Sequence, residues 1–176
     1  MPPAIRPATH QDIPLLVQAR LEFLRALGHS FSPDELPAAN HQIERFLSEH
    51  LDRDIFAWIA IDGETIAAAG FLHIYQVMWQ SAAPEGQFGR IINILTWPEF
   101  RHQGLARAIM QALIQKARKL NLRYIDLDAS PEGQPLYESL GFRLLNAPTP
   151  RCGSPSKTSN TFCHPSRAYL VRSRSN

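Results

Sequence analysis

The spacing of apolar residues divides the first half of the chain into helices and strands. A short strand is predicted at 4–7, and apolar positions then recur every three or four residues over 13–27 and 38–51, which predicts two amphipathic helices. Two prolines predict a loop over 31–39, between these helices. A run of seven apolar residues follows over 55–61, which predicts a strand.

The second half of the chain continues this strand pattern and then returns to a helical period. Asp62-Gly63 favours a tight hairpin turn into a strand over 65–75, and a further strand is predicted at 88–96. Helical spacing extends over 104–121, and a strand over 124–129 follows it after a short gap. This strand-helix-strand unit requires parallel pairing, whereas the hairpin before it is antiparallel. A short helix then runs from Ser130 or Pro131 to Leu140.

Composition favours one packed domain followed by a C-terminal segment of different composition. The 176 residues are 44% hydrophobic and 19% charged, which predicts a single globular domain over 1–145. The segment 146–176 is basic and rich in Pro and Ser; its first part, 146–166, is predicted to be flexible, and 167–172 could return as a closing strand. Two explanations stay open: a real insertion before that strand, or a C-terminus altered by a change such as a shifted reading frame. The loss of every acidic residue after Glu138 favours the second.

Charge, cysteine content and hydropathy exclude several classes of protein. Residues 1–142 carry 12 Lys and Arg against 16 Asp and Glu, so the predicted domain is acidic and the basic charge belongs to the tail. This argues against nucleic acid as a partner of the domain. Cys152, Cys163 and His164 are too few for a zinc site, so no metal is expected. No apolar run is long enough for a membrane span and no secretory signal is evident, so we expect no membrane partner and a cytoplasmic location.

The stretch with the clearest chemistry runs from a strand into the start of the long helix at 104–121. The first N–H groups of a helix have no acceptor within it and lie at the positive end of its dipole, so they attract anions. Gly104 allows the backbone to approach such an anion closely, and Arg101 and Arg107 add positive charge. A phosphate or pyrophosphate is therefore the expected ligand.

This stretch resembles a signature of the GNAT superfamily of N-acetyltransferases. Arg101-x-x-Gly104-x-Ala106 is similar to the family's Q/R-x-x-G-x-G/A acetyl-CoA motif, and Tyr137-x-x-x-Gly141-Phe142 to its Y-x-x-x-G-F. The resemblance covers about residues 4–142. It implies an α+β fold, the GNAT acyl-CoA N-acyltransferase fold, with a mixed, largely antiparallel sheet flanked by helices on both faces.

The resemblance also implies roles for individual residues. Backbone amides of the loop would bind the pyrophosphate of acetyl-CoA, and the strand before it would pair with the pantetheine arm. The cofactor-binding residues are then Ile94, Leu95, Thr96, Arg101, His102, Gln103, Gly104, Leu105, Ala106 and Arg107.

Catalysis would be direct attack of a primary amine on the acetyl group in a ternary complex. Tyr137 matches the family tyrosine that protonates the departing thiolate, and a phenol is protonated at neutral pH. The general base stays open, with Asp126 and Asp128 on one face of a strand as candidates. Asn93, Asp128 and Glu22 are the candidate substrate contacts.

The acceptor and the class of function keep alternatives. Small amines, amino acids, antibiotics and peptide amines all fit as acceptors, and GNAT proteins are often homodimers. A second hypothesis is a non-catalytic acyl-CoA-binding sensor with the same fold. A third is an interaction or RNA-binding module driven by the basic tail, whose binding would weaken steeply with salt.

Overall fold

The computed structural model describes residues 3–79, 83–144 and 167–172. That part of the chain forms seven strands and four α-helices. They are β1 (Ala4–Pro7), α1 (Ile13–Ala26), α2 (Glu35–His50), β2 (Ile55–Asp62), β3 (Thr65–Gln76), β4 (Gln87–Thr96), α3 (Leu105–Lys119), β5 (Tyr124–Ala129), α4 (Gln134–Ser139), β6 (Arg143–Leu144) and β7 (Arg167–Arg172).

The strands form one mixed sheet in the order β1-β2-β3-β4-β5-β7-β6. Among these seven described strands, the central pair of β4 and β5 is parallel and the other neighbouring pairs are antiparallel. The helix α3 connects the two parallel strands and packs against the middle of the sheet. The α+β class and the largely antiparallel sheet predicted from the sequence are therefore confirmed.

Each face of the sheet carries its own apolar core, because side chains alternate between the two faces of a strand. Along β2, Phe56 and Ala60 join the core covered by α3 and α4. Ile55, Ala57 and Ile59 join a second core, which α1 and α2 cover. Helices therefore flank both faces of the sheet, as predicted.

The helix α2 begins earlier than predicted. The prolines in 31–39 predict a loop there, but the helix starts at Glu35. The Ser32 hydroxyl accepts a hydrogen bond from the Glu35 N–H at 3.2 Å, and the Glu35 carboxylate accepts one from the Ser32 N–H at 2.9 Å. This reciprocal pair caps the helix, and Pro37 is tolerated because it lies in the first turn.

The C-terminal strand completes the sheet beyond β5. The backbone of β7 pairs antiparallel with β5 along its whole length and with β6 on its other side. This is the closing strand that the first of the two explanations, a real insertion, requires. The segment 146–166, predicted to be flexible, lies outside the described residues, as do Cys152, Cys163 and His164.

Candidate active site

The loop between β4 and α3 turns twice through left-handed backbone conformations. A short 3-10 turn at Pro98–Phe100 follows β4, and His102 and Gly104 then adopt φ angles of 60° and 80°. Glycine reaches such angles without a steric penalty, and histidine is among the residues that tolerate them best. The loop therefore changes direction sharply just before the first helical residue, Leu105.

The start of α3 presents unused backbone donors. The first backbone hydrogen bond of the helix runs from the Ala108 N–H to the Gly104 carbonyl at 3.1 Å. The N–H groups of Leu105, Ala106 and Arg107 precede it and have no acceptor within the helix. Together with the positive end of the helix dipole, they form a site suited to a phosphate or pyrophosphate.

Side chains in the loop stabilise its shape. Arg101 Nε donates to the carbonyl oxygen of Thr96 at 3.3 Å, and Gln103 Nε2 donates to that of Glu99 at 3.4 Å. The first bond joins the loop to the end of β4. The Thr96 hydroxyl is buried and has no hydrogen-bond partner among the described residues. A buried hydroxyl without a hydrogen-bond partner at the end of a strand indicates a place where a bound ligand would supply that partner.

The parallel strands β4 and β5 separate towards the end that carries this loop. They pair only from Gly89 to Ile91 on β4 and from Ile125 to Leu127 on β5. Beyond Ile91 the edge of β4 that faces β5 has no strand partner in the described part of the chain. An open strand edge offers N–H and C=O groups to an extended ligand that contains amide groups.

A β-bulge marks the point where the strands separate. Gly70 of β3 lies opposite two residues of β4, Asn93 and Ile94, because Phe71 pairs with Ile92 and Ala69 with Leu95. Asn93 has a φ angle of 58° and is only 2% exposed. A bulge leaves its extra residue outside the ladder, so backbone groups of β4 are redirected here.

The side chain of Asn93 is held by the first helix. Its Nδ2 donates to the carbonyl oxygen of Ala19 at 3.3 Å, and its Oδ1 accepts from Arg20 Nη1 at 3.4 Å. The amide therefore connects the bulge to α1. Asn93 was predicted as a substrate contact, and it lines the cavity described below.

The predicted catalytic tyrosine lies on α4. Tyr137 is 8% exposed, and its ring contacts Phe142 with the ring centroids 6.2 Å apart. Burial raises the pKa of the Tyr137 hydroxyl to about 12. The helix is joined to the anion-binding loop, because Arg107 Nη2 donates to Ser139 Oγ at 2.9 Å. The structure thus brings the helix that carries Tyr137 next to the start of α3.

The carboxylates predicted near the site are engaged by arginines. Arg90 donates to Asp126 at 2.9 Å and also to Asp128, and burial is the main cause that raises the pKa of Asp126. Glu22 accepts from Arg25 Nη1 at 3.3 Å on the exposed side of α1. Neither Asp128 nor Glu22 lines the cavity with Asn93, so the structure does not bring the three predicted substrate contacts together.

A cavity of about 250 Å³ lies between α1, α2 and strands β2, β3 and β4. Its polar lining includes Arg20, which the sequence analysis missed. The position of Arg20 in the helix is a sequence signal that could have identified it. Arg20 follows Leu16 by four residues and Ile13 by seven, so it falls on the apolar stripe of its helix. The lining consists of Arg20, Gln42, Ile43, Phe46, Leu47, Ile55, Phe71, His73, Ile92 and Asn93.

The described residues contain neither a cluster of metal ligands nor a membrane-spanning helix. No three His, Cys, Asp or Glu side chains there lie close enough together to hold a metal ion. None of the helices in 3–79 or 83–144 has the length and apolar character that a membrane span needs.

Comparisons with known proteins agree with this geometry. The sequence model of the Acetyltransferase (GNAT) family matches residues 18–142. A comparison with curated proteins found no match. The fold is similar to a predicted acetyltransferase from Clostridium acetobutylicum, crystallised with acetyl-CoA, at 26% identity and a TM-score of 0.73 over 87% of this chain and 95% of that one.

Two further crystal structures share the fold. One is a GCN5-related N-acetyltransferase from Ralstonia eutropha, at 24% identity and a TM-score of 0.71 over 87% of this chain and 97% of that one. The other is glucosamine-6-phosphate N-acetyltransferase from Arabidopsis thaliana, at 19% identity and a TM-score of 0.61 over 90% and 97% of the two chains. The family match spans most of the chain and includes both sequence signatures, so this protein belongs to the GNAT family of acetyltransferases.

Proposed function

We propose that this acetyltransferase moves the acetyl group of acetyl-CoA to a primary amine by direct attack in a ternary complex. The observation that carries the proposal is the continuity of two binding features. The open edge of β4 leads into the free N–H groups at Leu105–Arg107. A ligand with an extended, amide-bearing arm and a pyrophosphate matches both features, and acetyl-CoA has both.

The residues present fit that ligand. The backbone amides of Leu105, Ala106 and Arg107 would hold the pyrophosphate, with the guanidinium of Arg107 nearby. The backbone of Ile94–Thr96 would pair with the pantetheine arm as an added strand does. The space beside Gly104 is open, since a Cβ built at that position would have no atom within 4 Å, so the ligand can approach the backbone there.

Acetyl-CoA supplies an acetyl group activated as a thioester, so that a C–N bond to the amine forms as the C–S bond breaks and one proton is released to solvent. Backbone N–H groups at the bulge around Asn93 would polarise the acetyl carbonyl. Tyr137 would donate its proton to the departing thiolate and regain one from the amine nitrogen. The proton released to solvent is the one that the acceptor loses when its ammonium form becomes the neutral, attacking amine. Because burial raises the pKa of Tyr137 to about 12, the phenol stays protonated throughout the neutral range.

The test is release of the free CoA thiol from acetyl-CoA with a panel of primary amines. We expect turnover with the wild type, and a fall in kcat of about 100-fold or more for Tyr137→Phe, the range typical of a lost general acid. The affinity for acetyl-CoA should stay unchanged. Tyr124→Phe is the matched control, since Tyr124 is a half-buried tyrosine at the opposite end of β5.

Two outcomes would count against the proposal. A kcat for Tyr137→Phe within two-fold of the wild type would remove the acid role of Tyr137. Binding of acetyl-CoA without turnover of any amine would instead indicate the second hypothesis, a non-catalytic acyl-CoA-binding sensor.

A further inference from the structure

The cavity between α1 and α2 contains a positive charge without a counter-ion among the described residues. Arg20 is half-buried, and burial lowers the pKa of its guanidinium. Its contacts in the described part of the chain are the Asn93 Oδ1 at 3.4 Å and the ring of Phe23, whose centroid is 5.7 Å from Arg20 Cζ. Neither of these groups carries a negative charge.

Arg90 is a comparable arginine whose positive charge is paired with carboxylates. Arg90 is also half-buried, and it donates to both Asp126 and Asp128. A guanidinium removed from water needs such a partner, because its lost hydration is otherwise uncompensated. Arg20 has no carboxylate within ion-pair distance in the described ranges, so an anionic ligand is the partner that its position calls for.

The cavity lies beside the reaction centre on the face opposite to the acetyl-CoA loop. Ile92 and Asn93 both line the cavity, and Asn93 is one of the two bulge residues of β4, directly after Ile92. The cavity is covered by α1 and α2, whereas α3, which begins at the anion-binding loop, packs on the other face. A molecule in the cavity would therefore reach the bulge from the side opposite to acetyl-CoA.

The rest of the lining defines the size and polarity of that molecule. The volume of about 250 Å³ is below the range of about 300–1,000 Å³ that suits drug-sized ligands. Away from Arg20 the walls are mainly apolar, with Phe46, Leu47 and Phe71 among them. A small molecule with one anionic group and one apolar group fits this combination.

We infer that the acceptor is a free amino acid with an apolar side chain, bound with its carboxylate on Arg20 and its side chain among the apolar residues of the cavity. This inference rests on the proposed N-acetyltransferase function. An α-amino acid carries its amine and its carboxylate on the same carbon. A carboxylate held by Arg20, next to Asn93, therefore keeps the amine close to the bulge.

The test compares amines that differ in one group at a time. L-Leucine and L-phenylalanine are compared with L-leucinamide, which lacks the carboxylate, and with L-glutamate, which lacks the apolar side chain. We expect kcat/KM for the two apolar amino acids to exceed that for L-leucinamide by about 10- to 100-fold, the range for a charge-assisted hydrogen bond. L-Glutamate should be disfavoured to a similar degree.

Variants at Arg20 assign this preference to the cavity. Arg20→Gln should lower kcat/KM for L-leucine by about 10- to 100-fold and leave that for L-leucinamide nearly unchanged. Arg20→Lys keeps the charge and should restore part of the loss. Arg25→Gln is the matched control, because Arg25 lies on the same helix but is exposed and pairs with Glu22. Titration of each variant with acetyl-CoA checks that the donor site is intact.

The outcomes separate this inference from the proposed function. Equal use of L-leucine and L-leucinamide, or an unchanged preference in Arg20→Gln, would overturn the inference and leave the N-acetyltransferase proposal standing. If no amine turns over, calorimetric titration of L-leucine into the CoA-saturated protein reads the cavity directly. Binding that Arg20→Gln abolishes would support the anion site without the activity, and no binding to the wild type would overturn it.

Discussion

Gly70 offers the sharpest test of the packing around the bulge. It is the single residue of β3 that lies opposite Asn93 and Ile94. A Cβ at this position would lie 2.5 Å from Ile94 Cδ1 and 2.7 Å from Ile109 Cγ2. Both distances are shorter than real Cβ contacts, so in Gly70→Ala the side chains of Ile94 and Ile109, or the elements that carry them, must shift.

The expected cost follows from two opposing effects. Overpacking a well-packed core costs about 1–3 kcal/mol, whereas replacing glycine by alanine regains about 0.4–1 kcal/mol through the unfolded chain. We expect the free energy of unfolding to fall by about 1–2 kcal/mol. For a chain of this size, that corresponds to a decrease in Tm of about 2–8 °C.

A second substitution makes the explanation falsifiable. Ile94→Val removes Cδ1, the atom nearest to the new methyl group. Urea unfolding of the wild type, both single variants and the double variant measures the coupling. We expect Gly70→Ala to cost at least about 0.5 kcal/mol less when Ile94→Val is already present, with the remainder due to Ile109. The same cost in both backgrounds would refute this account of the bulge.

Three further predictions concern single groups. Arg6 donates twice to Asp12 at 2.7 Å and holds the pKa of that carboxyl well below its usual range, so Asp12→Asn should cost about 1.5–3 kcal/mol at pH 7. That stability is present above the unfolded pKa of about 3.9 and is lost as the pH falls below it, so unfolding curves of the two proteins should converge towards pH 2. Gly104→Ala should lower the free energy of unfolding by about 1–2 kcal/mol through its φ of 80° alone, and Gly104→Asn by less, as thermal unfolding would show. Because the pKa of Tyr137 is raised to about 12, loss of the Tyr137 proton should not lower the kcat of the wild type up to pH 10. The pH dependence of kcat up to pH 10 should therefore show no decline that is present in the wild type and absent in Tyr137→Phe.

Local patterns were enough to predict most of the fold. The helix α3 was predicted over 104–121 and extends over Leu105–Lys119, because its apolar stripe and its terminal residues lie within one segment. The hairpin at Asp62-Gly63 and the parallel pair around α3 follow from turn chemistry and connection length in the same way. The start of α2 was misplaced because its prolines outweighed the capping pair of Ser32 and Glu35, although that pair is itself a local signal.

The site was only partly predictable, because part of it depends on contacts between distant segments. The loop 101–107 is one continuous motif, so its assignment as the cofactor-binding segment needs no distant contact and stays a prediction. In the structure, the N–H groups of Leu105, Ala106 and Arg107 precede the first backbone hydrogen bond of α3. Asn93 and Arg20 are 73 residues apart in the chain, and their contact depends on how α1 packs against β4. An arginine on an apolar stripe can indicate a buried charge, but the identity of its neighbours requires the fold.

We expect the free amides at the start of α3 to bind the pyrophosphate of acetyl-CoA. The test is calorimetric titration of two variants with acetyl-CoA. Ala106→Glu places a carboxylate at these amides. Gln111→Glu is the control, because it adds the same charge further along the same helix. A glutamate in the first turn favours the helix, so loss of fold is not expected. Repulsion between unit charges about 4 Å apart near a protein surface is worth about 4 kcal/mol, which corresponds to a loss of about 1,000-fold in affinity. The account predicts that loss for Ala106→Glu alone, and equal affinities for the two variants would contradict it.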